Sequence, residues 1–353
     1  MFKPQYKITN KIVSLLTAIA EAKAAIERAR LLPKHELRLR RQALIRMTQS
    51  STAIEGNLLN IRQVEALVLD KKKKIDAPQR DVFEVINYLT ALGYIRKVVE
   101  NKRNITDKVI LTIHRRVTKN TLPDEQSGHY RSGPIYVVMR RLGLPAEVVY
   151  TGPAAKKVSR LMKDLISWLM ASANQEIHPI IVAGIVHQEI AAIHPFSDGN
   201  GRTARALATL ILYQRGYDFR QLFALEDYYN KDRPKYYSAI NIGKNYEERE
   251  VDFTPWLEYF VRGFRDEIDN VKERVVALQA KKVDNKINSQ IYLDKDQMQI
   301  LDFLDSVGKI TVKDVIDILH YPKRTAQFHL QKLKQLGMIE QVGKARAAGY
   351  ILR

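Results

Sequence analysis

The sequence has no cysteine. That absence excludes a disulfide framework, thiolate-ligated zinc and a cysteine nucleophile. It agrees with a reducing compartment, and we expect the protein in the cytoplasm. Long apolar runs are also missing. The longest, such as Ile180 to Val186, fall far short of a bilayer span. The N-terminal stretch MFKPQYKITNKIV has neither the apolar segment nor the small-residue cleavage site of a secretory signal. No membrane partner is expected. Acidic residues are scarce relative to basic ones: 39 Asp and Glu stand against 58 Lys and Arg, a formal net charge of +19. So large an excess points to an acidic partner such as nucleic acid, nucleotide phosphates or an anionic surface. Internal repeats and low-complexity tracts are absent as well.

What remains is an ordinary globular composition, 45% hydrophobic and 27% charged over 353 residues, enough for two or three domains. Apolar residues at three and four spacing (Leu15, Ile19, Ala22, Ile26) predict helix from Ile12 to Met47, divided in two by Pro33. The second half is strongly basic. Lys71 to Lys74 reads as an exposed loop, and Asp81–Val99 and Asp107–Val117 as further helices. Then Gly128, Gly133, Pro134, Gly143 and Pro145 bracket two β-prone segments, Ile135–Met139 and Val148–Tyr150, which predicts a hairpin inside a helical chain. Helical patterning returns from Lys156 to Phe264, broken at His194–Gly201, and the polar stretch 280–289 reads as a linker.

The break carries the chemistry. Residues 194–205 read His-Pro-Phe-Ser-Asp-Gly-Asn-Gly-Arg-Thr-Ala-Arg. An apolar helix ends before Pro195, and another begins after a loop holding Gly199, Asn200 and Gly201. A Gly-rich loop feeding a helix N-terminus is an anion site, because the first backbone N–H groups lack helical partners and the dipole favours negative charge. Arg202 and Arg205, three apart, offer guanidinium forks suited to phosphate oxygens. Asp198 adds the hard oxygen that Mg²⁺ takes when it also holds phosphates. His194 ordinarily titrates near neutral pH and can accept a proton from an attacking hydroxyl. The residues therefore describe a phosphate cradle with a metal ligand and a base.

This string resembles the Fic family signature, His-Pro-Phe-x-(Asp/Glu)-Gly-Asn-Gly-Arg-x-x-Arg, at every specified position. The resemblance implies a mainly α fold, a Fic-type helical bundle with a β-hairpin flap, and protein AMP transfer. By that analogy His194 deprotonates a Tyr, Thr or Ser hydroxyl of a target protein, which attacks the α-phosphorus of ATP and releases pyrophosphate. Asp198 would hold Mg²⁺ on the phosphates, Gly199, Asn200 and Gly201 would cradle them, and Arg202 and Arg205 would bind the β/γ end. Phe196 would point into the core. Gly128 to Arg131, followed by Ile135, Tyr136 and Val137, resembles the flap that pairs with a target backbone. Arg233 with Tyr236 and Tyr237 falls where the family borders adenine, and a Tyr ring there would stack on the base. Upstream, Ser51-Thr-Ala-Ile-Glu55-Gly56 matches the family's inhibitory motif, (Ser/Thr)-x-x-x-Glu-(Gly/Asn). Ser51 and Glu55 share a helical face that Gly56 can end. Glu55 would accept a bidentate pair from Arg205 and leave ATP bent and unproductive; in some relatives the same glutamate supports AMP removal.

The tail reads as three short helices (297–304, 312–319, 324–336) and a short hairpin, with Thr311 as an N-cap and Gly337 as a C-cap. That order resembles a winged helix. Arg324, Gln327 and Lys332 on its third helix, and Lys344 and Arg346 on its wing, would face DNA phosphates; protein contact is the other use of such a module. Three regions are thus expected: 1–98 helical with the inhibitory motif (51–57), 99–279 catalytic with flap (128–139) and signature loop (194–205), and 290–353 as the α+β winged helix. The expected activity is an autoinhibited protein adenylyltransferase. Its partners are ATP with Mg²⁺, a target protein, the chain itself as a substrate, a second copy in a homodimer and, through the tail, DNA. Two alternatives stand beside it: a DNA-binding regulator that senses nucleotide at this site, and an enzyme that both adds and removes AMP. Transfer of phosphate or phosphocholine would call for a departure from the signature, and none occurs.

Overall fold

Pro33 opens the second helix at its first position, where a missing N–H costs nothing. In the computed structural model, which describes residues 2–139, 147–171, 176–241, 243–249, 251–280, 293–307, 309–343 and 349–352, the chain begins with α1 (Asn10–Arg28), α2 (Pro33–Ile54), α3 (Ile61–Leu69), α4 (Gln79–Glu100) and α5 (Asp107–Thr118). The hairpin strands β1 (Tyr136–Met139) and β2 (Glu147–Thr151) follow, then α6 (Ala155–Met170), α7 (Pro179–Ile193), α8 (Asn200–Gln214), α9 (Leu225–Lys231), α10 (Arg233–Ile240) and α11 (Thr254–Ala280). The tail holds α12 (Lys295–Val307), α13 (Val312–Leu319), α14 (Lys323–Gln335), β3 (Ile339–Val342) and β4 (Gly349–Leu352). The mainly α class with one inserted hairpin is as expected. Of the expected linker 280–289, residues from 281 on lie outside the described ones.

Thr9 caps α1 by accepting the Ile12 N–H, and Ile12, Ile19, Ala22 and Ile26 form its buried stripe. That stripe packs on α11. At the centre lie α8 and α7, packed on each other and buried along most of their length, and α7 is apolar on nearly every side. A helix buried all round needs no polar face, which is why its hydrophobic periodicity is weak. The loop joining these two helices therefore sits on two deeply buried helices.

β1 pairs antiparallel with β2, with Tyr136 opposite Thr151 and an irregularity between Val137 and Val138. Thr151 also donates its N–H to the Lys244 carbonyl at 2.9 Å and accepts from the Tyr246 N–H at 3.0 Å. The outer edge of β1 carries no backbone partner among the described residues. In the tail, Thr311 and Asp314 form a reciprocal capping box on α13, and Gly337 takes φ +68° after α14. β3 pairs antiparallel with β4, and Ile310 bridges Tyr350 beside them. The tail has its own core, to which α2 contributes Leu37. Among the described residues no helix is long and apolar enough to cross a membrane.

Candidate active site

α7 ends at Ile193, and His194 turns the chain in the left-handed region, at φ 49° and ψ 59°. A non-glycine residue there is strained and must be held. Arg131 does the holding: its Nε donates to the His194 carbonyl at 2.8 Å and its N–H to the Pro195 carbonyl at 3.0 Å. It also donates to the Gly133 and Pro153 carbonyls, which tie the hairpin to the same point. His194 Nδ1 lies 3.0 Å from the Ala191 carbonyl. A carbonyl can only accept, so Nδ1 carries the proton and Nε2 keeps its lone pair. Burial lowers the imidazole pKa below its usual value, leaving the ring neutral near pH 7.

The loop is braced from inside. Phe196 is fully buried and stacks on His114 with centroids 3.7 Å apart. His114 accepts the Gly128 N–H on Nδ1 at 2.9 Å, so its Nε2 donates to the Asp198 carbonyl, also at 2.9 Å. Burial pushes His114 down to about 4. Asn200 closes the loop: its Oδ1 accepts the Phe196 N–H at 2.9 Å and its Nδ2 donates to the Phe196 carbonyl at 2.8 Å. Its side chain is thus engaged inside the loop, and its backbone N–H is left without a helical acceptor. Gly199 takes φ +76°, and a Cβ there would meet Thr118 Cγ2 at 2.8 Å. The first N–H of α8 with a helical acceptor is that of Thr203, to Gly199, so those of residues 200 to 202 end the helix unpaired within it.

Both arginines of the loop are buried with their charge. Arg202 donates from Nη2 to Asp198 Oδ1 at 3.3 Å, and its Nη1 lies 3.1 Å from Glu84 without the alignment of a hydrogen bond. Arg205 does not form the expected two-pronged pair with Glu55. Its Nε donates to Ser51 Oγ at 2.9 Å, and its Nη2 to the Ser51 carbonyl and to Glu55 Oε1, both at 2.8 Å. Ser51, at the end of α2, takes the fork edge that a second carboxylate oxygen would have used. Arg202 Nε and Arg205 Nη1 are buried without any hydrogen-bond acceptor. Glu55 caps α2 and Gly56, at φ +96°, turns the chain away. A Cβ built on Gly201 would collide with Glu55 Oε1, so this carboxylate lies directly over the N-terminus of α8. Asp198 Oδ2 accepts from Arg80 Nη2 at 2.9 Å.

The flanking residues divide. Tyr236 is a core residue, contrary to the expected stacking position: it is 2% exposed, stacks on Tyr229 at 4.6 Å and bonds His187 at 3.0 Å. Consecutive positions on a helix point about 100° apart, so Tyr236 turns into the core while Tyr237 faces out. Tyr237 is the exposed one, and its hydroxyl donates to the Ile54 carbonyl at 2.8 Å. Arg233 donates to Asn230. On the hairpin Tyr136 is exposed, and Ile135 and Val137 are half-buried. In the tail Arg324 and Gln327 are exposed and Lys332 is half-buried, whereas His329 is buried and does not share their open face. Lys344 and Arg346 lie outside the described residues.

Sequence reasoning missed His114, Glu84 and Arg80. His114 stands in an unremarkable amphipathic helix and has no motif to mark it. Arg80 and Glu84 had one signal, their spacing of four on α4. Tyr88 and Glu226 were missed too: Tyr88 donates to Glu226 at 2.9 Å behind Arg205, and burial pushes the Glu226 carboxyl up to about 7. Among the described residues no group of three or more His, Asp or Glu could hold a metal ion.

A model of the Fic/DOC family matches residues 104–212. The protein adenylyltransferase Fic of Drosophila grimshawi is 32% identical over 203 residues, which are 57% of this chain and 38% of that one. Its counterpart in Aedes aegypti is 29% identical over 246 residues, 69% of this chain and 43% of that one. The chain therefore spans less than half the length of these curated relatives. Among solved structures, a Fic family protein from Desulfovibrio desulfuricans G20 has a TM-score of 0.62 at 26% identity and covers 100% of this chain and 98% of its own. Fic-1 from C. elegans has a TM-score of 0.61 at 23% identity, covering 76% and 73%, a likeness of fold.

Proposed function

We propose, from the Fic/DOC family model that matches residues 104–212, that the chain is a protein adenylyltransferase restrained by its own Glu55. The observation that carries this reading is the pairing of a neutral His194 with two buried arginines, each of which keeps a buried N–H without an acceptor, Arg202 at Nε and Arg205 at Nη1. Buried donors of that kind are costly unless a ligand completes them, and a polyphosphate beside the α8 N-terminus would do so. His194 Nε2 takes the proton of a Ser, Thr or Tyr hydroxyl. The hydroxyl oxygen bonds to the α-phosphorus of ATP, the bond from that phosphorus to the bridging oxygen breaks, and pyrophosphate leaves.

Mg²⁺ suits the donor set, since one carboxylate plus substrate phosphates is its usual company. Asp198 would hold it, and when bound it would neutralise charge on the polyphosphate. Glu55 restrains the reaction by setting a carboxylate over the α8 N-terminus and engaging Arg205. Tyr237 is the better candidate than Tyr236 for contact with a base, because only its ring is exposed. Ile135, Tyr136 and Val137 would dock a target through the open edge of β1. We assign 1–98 to the restraining region, 99–279 to catalysis and 290–353 to a winged-helix domain. The exposed Arg324 and Gln327 favour a secondary contact of that domain with DNA.

The test uses ATP labelled at either the α- or the γ-phosphorus, with Mg²⁺, the Glu55→Gly protein and a cell lysate. Transfer of AMP leaves α-label on protein and none of the γ-label. Retention of γ-label alone would mean phosphoryl transfer, and absence of both would favour nucleotide sensing.

A further inference from the structure

A basic residue in the first turn of a helix opposes the helix dipole, yet Arg80 occupies the first turn of α4. Its guanidinium adds little to the stability of the fold. The side chain is 62% exposed, its Nε contact with Glu84 is long at 3.4 Å, and an exposed ion pair contributes little to stability. Among the described residues its one close partner is Asp198 Oδ2, at 2.9 Å. Asp198 is the carboxylate assigned above to the cation that accompanies ATP, so this inference rests on that reading.

We propose that Arg80 is a further nucleotide-binding residue, a third arginine of the polyphosphate site contributed from outside the signature loop. At rest it neutralises Asp198. A cation on Asp198 would remove its acceptor and repel its charge, and the flexible side chain then turns to the phosphate oxygens beside that carboxylate. The surroundings favour this. Arg202 and Arg205 are buried and fixed by Asp198, Ser51 and Glu55, so they can address only the inner side of a polyphosphate. Arg80 approaches from the solvent side. α4 is also stapled to the segment just after Glu55: Leu58 N–H donates to Asp81 at 3.0 Å and Asn57 to Glu84 at 2.9 Å. That staple keeps Arg80 at the site whichever way the Glu55 side chain points.

The test is calorimetric titration of ATP with Mg²⁺, and separately of adenosine, into Glu55→Gly, Glu55→Gly/Arg80→Ala and Glu55→Gly/Arg80→Lys. Loss of one charge-assisted contact to phosphate weakens ATP about tenfold in the Ala variant, leaves adenosine unchanged, and is partly restored by Lys. ATP affinity equal in the Ala variant and its parent would overturn the proposal. So would an equal weakening of ATP and adenosine, which would make Arg80 a brace for the loop. If Glu55→Gly itself binds neither ligand, the nucleotide-site reading fails, an outcome separate from any effect of Arg80.

Discussion

Arg205 divides one guanidinium between two residues of the same helix end, Ser51 through Nε and Glu55 through Nη2. The arginine comes from the start of α8 and its partners from the end of α2, separated by about 150 residues of sequence. Glu55 carries the charge of this lock, and Ser51 fixes its orientation. The lock also has an unfinished side, since Nη1 is buried without an acceptor.

Ser51→Ala removes the Nε acceptor while keeping Glu55. A neutral partner of a charged donor contributes about 1.5–3 kcal/mol. Self-modification should therefore rise about tenfold above wild type but stay below that of Glu55→Gly. Initial rates at fixed ATP check the order. A Ser51→Ala rate at the wild-type level would mean that Glu55 holds Arg205 unaided.

The rate should also depend on pH in one direction. Burial holds the His194 pKa below its ordinary value, and only the neutral ring accepts a proton. In Glu55→Gly protein the rate should rise with pH through a midpoint below about 6.5 and be flat from pH 7 to 8. A midpoint above 7 would contradict the tautomer and burial described for this ring.

His114 predicts a stability effect. Its folded pKa is about 4, against about 6.5 in an unfolded chain. Between those values the unfolded state binds the proton and the folded state does not, so stability falls as pH drops from about 6.5 toward 4. From pH 7 to pH 5 this one group costs about 2 kcal/mol. His114→Asn should be less stable at pH 7, having lost the brace on Phe196 and Asp198, but its further loss on acidification should shrink by about that amount in denaturant titrations. An unchanged acid dependence would contradict the buried neutral state.

Much of this was legible before the fold. The Gly-Asn-Gly loop between two apolar helices forecasts the α8 N-terminus, because glycine at 199 is demanded by a positive φ and by Thr118. Ser51 and Glu55 at four spacing forecast one face, and they do meet Arg205. Less legible were contacts made by residues of ordinary type in ordinary patterns. Nothing local distinguishes His114 from any half-apolar helical histidine, and Arg80 is one of many basic residues. Tyr236 misled for the same reason: composition names the ring, but only packing against Tyr229 and His187 decides that it faces inward.

On the proposed reading His194 acts as the base and Glu55 as the restraint of one site. That reading is tested most directly by α-labelled ATP with three proteins: wild type, Glu55→Gly and Glu55→Gly/His194→Ala. Wild type should label weakly, Glu55→Gly at least about tenfold more, and the double variant should lose the label. Equal labelling of wild type and Glu55→Gly, or label that survives His194→Ala, would contradict it.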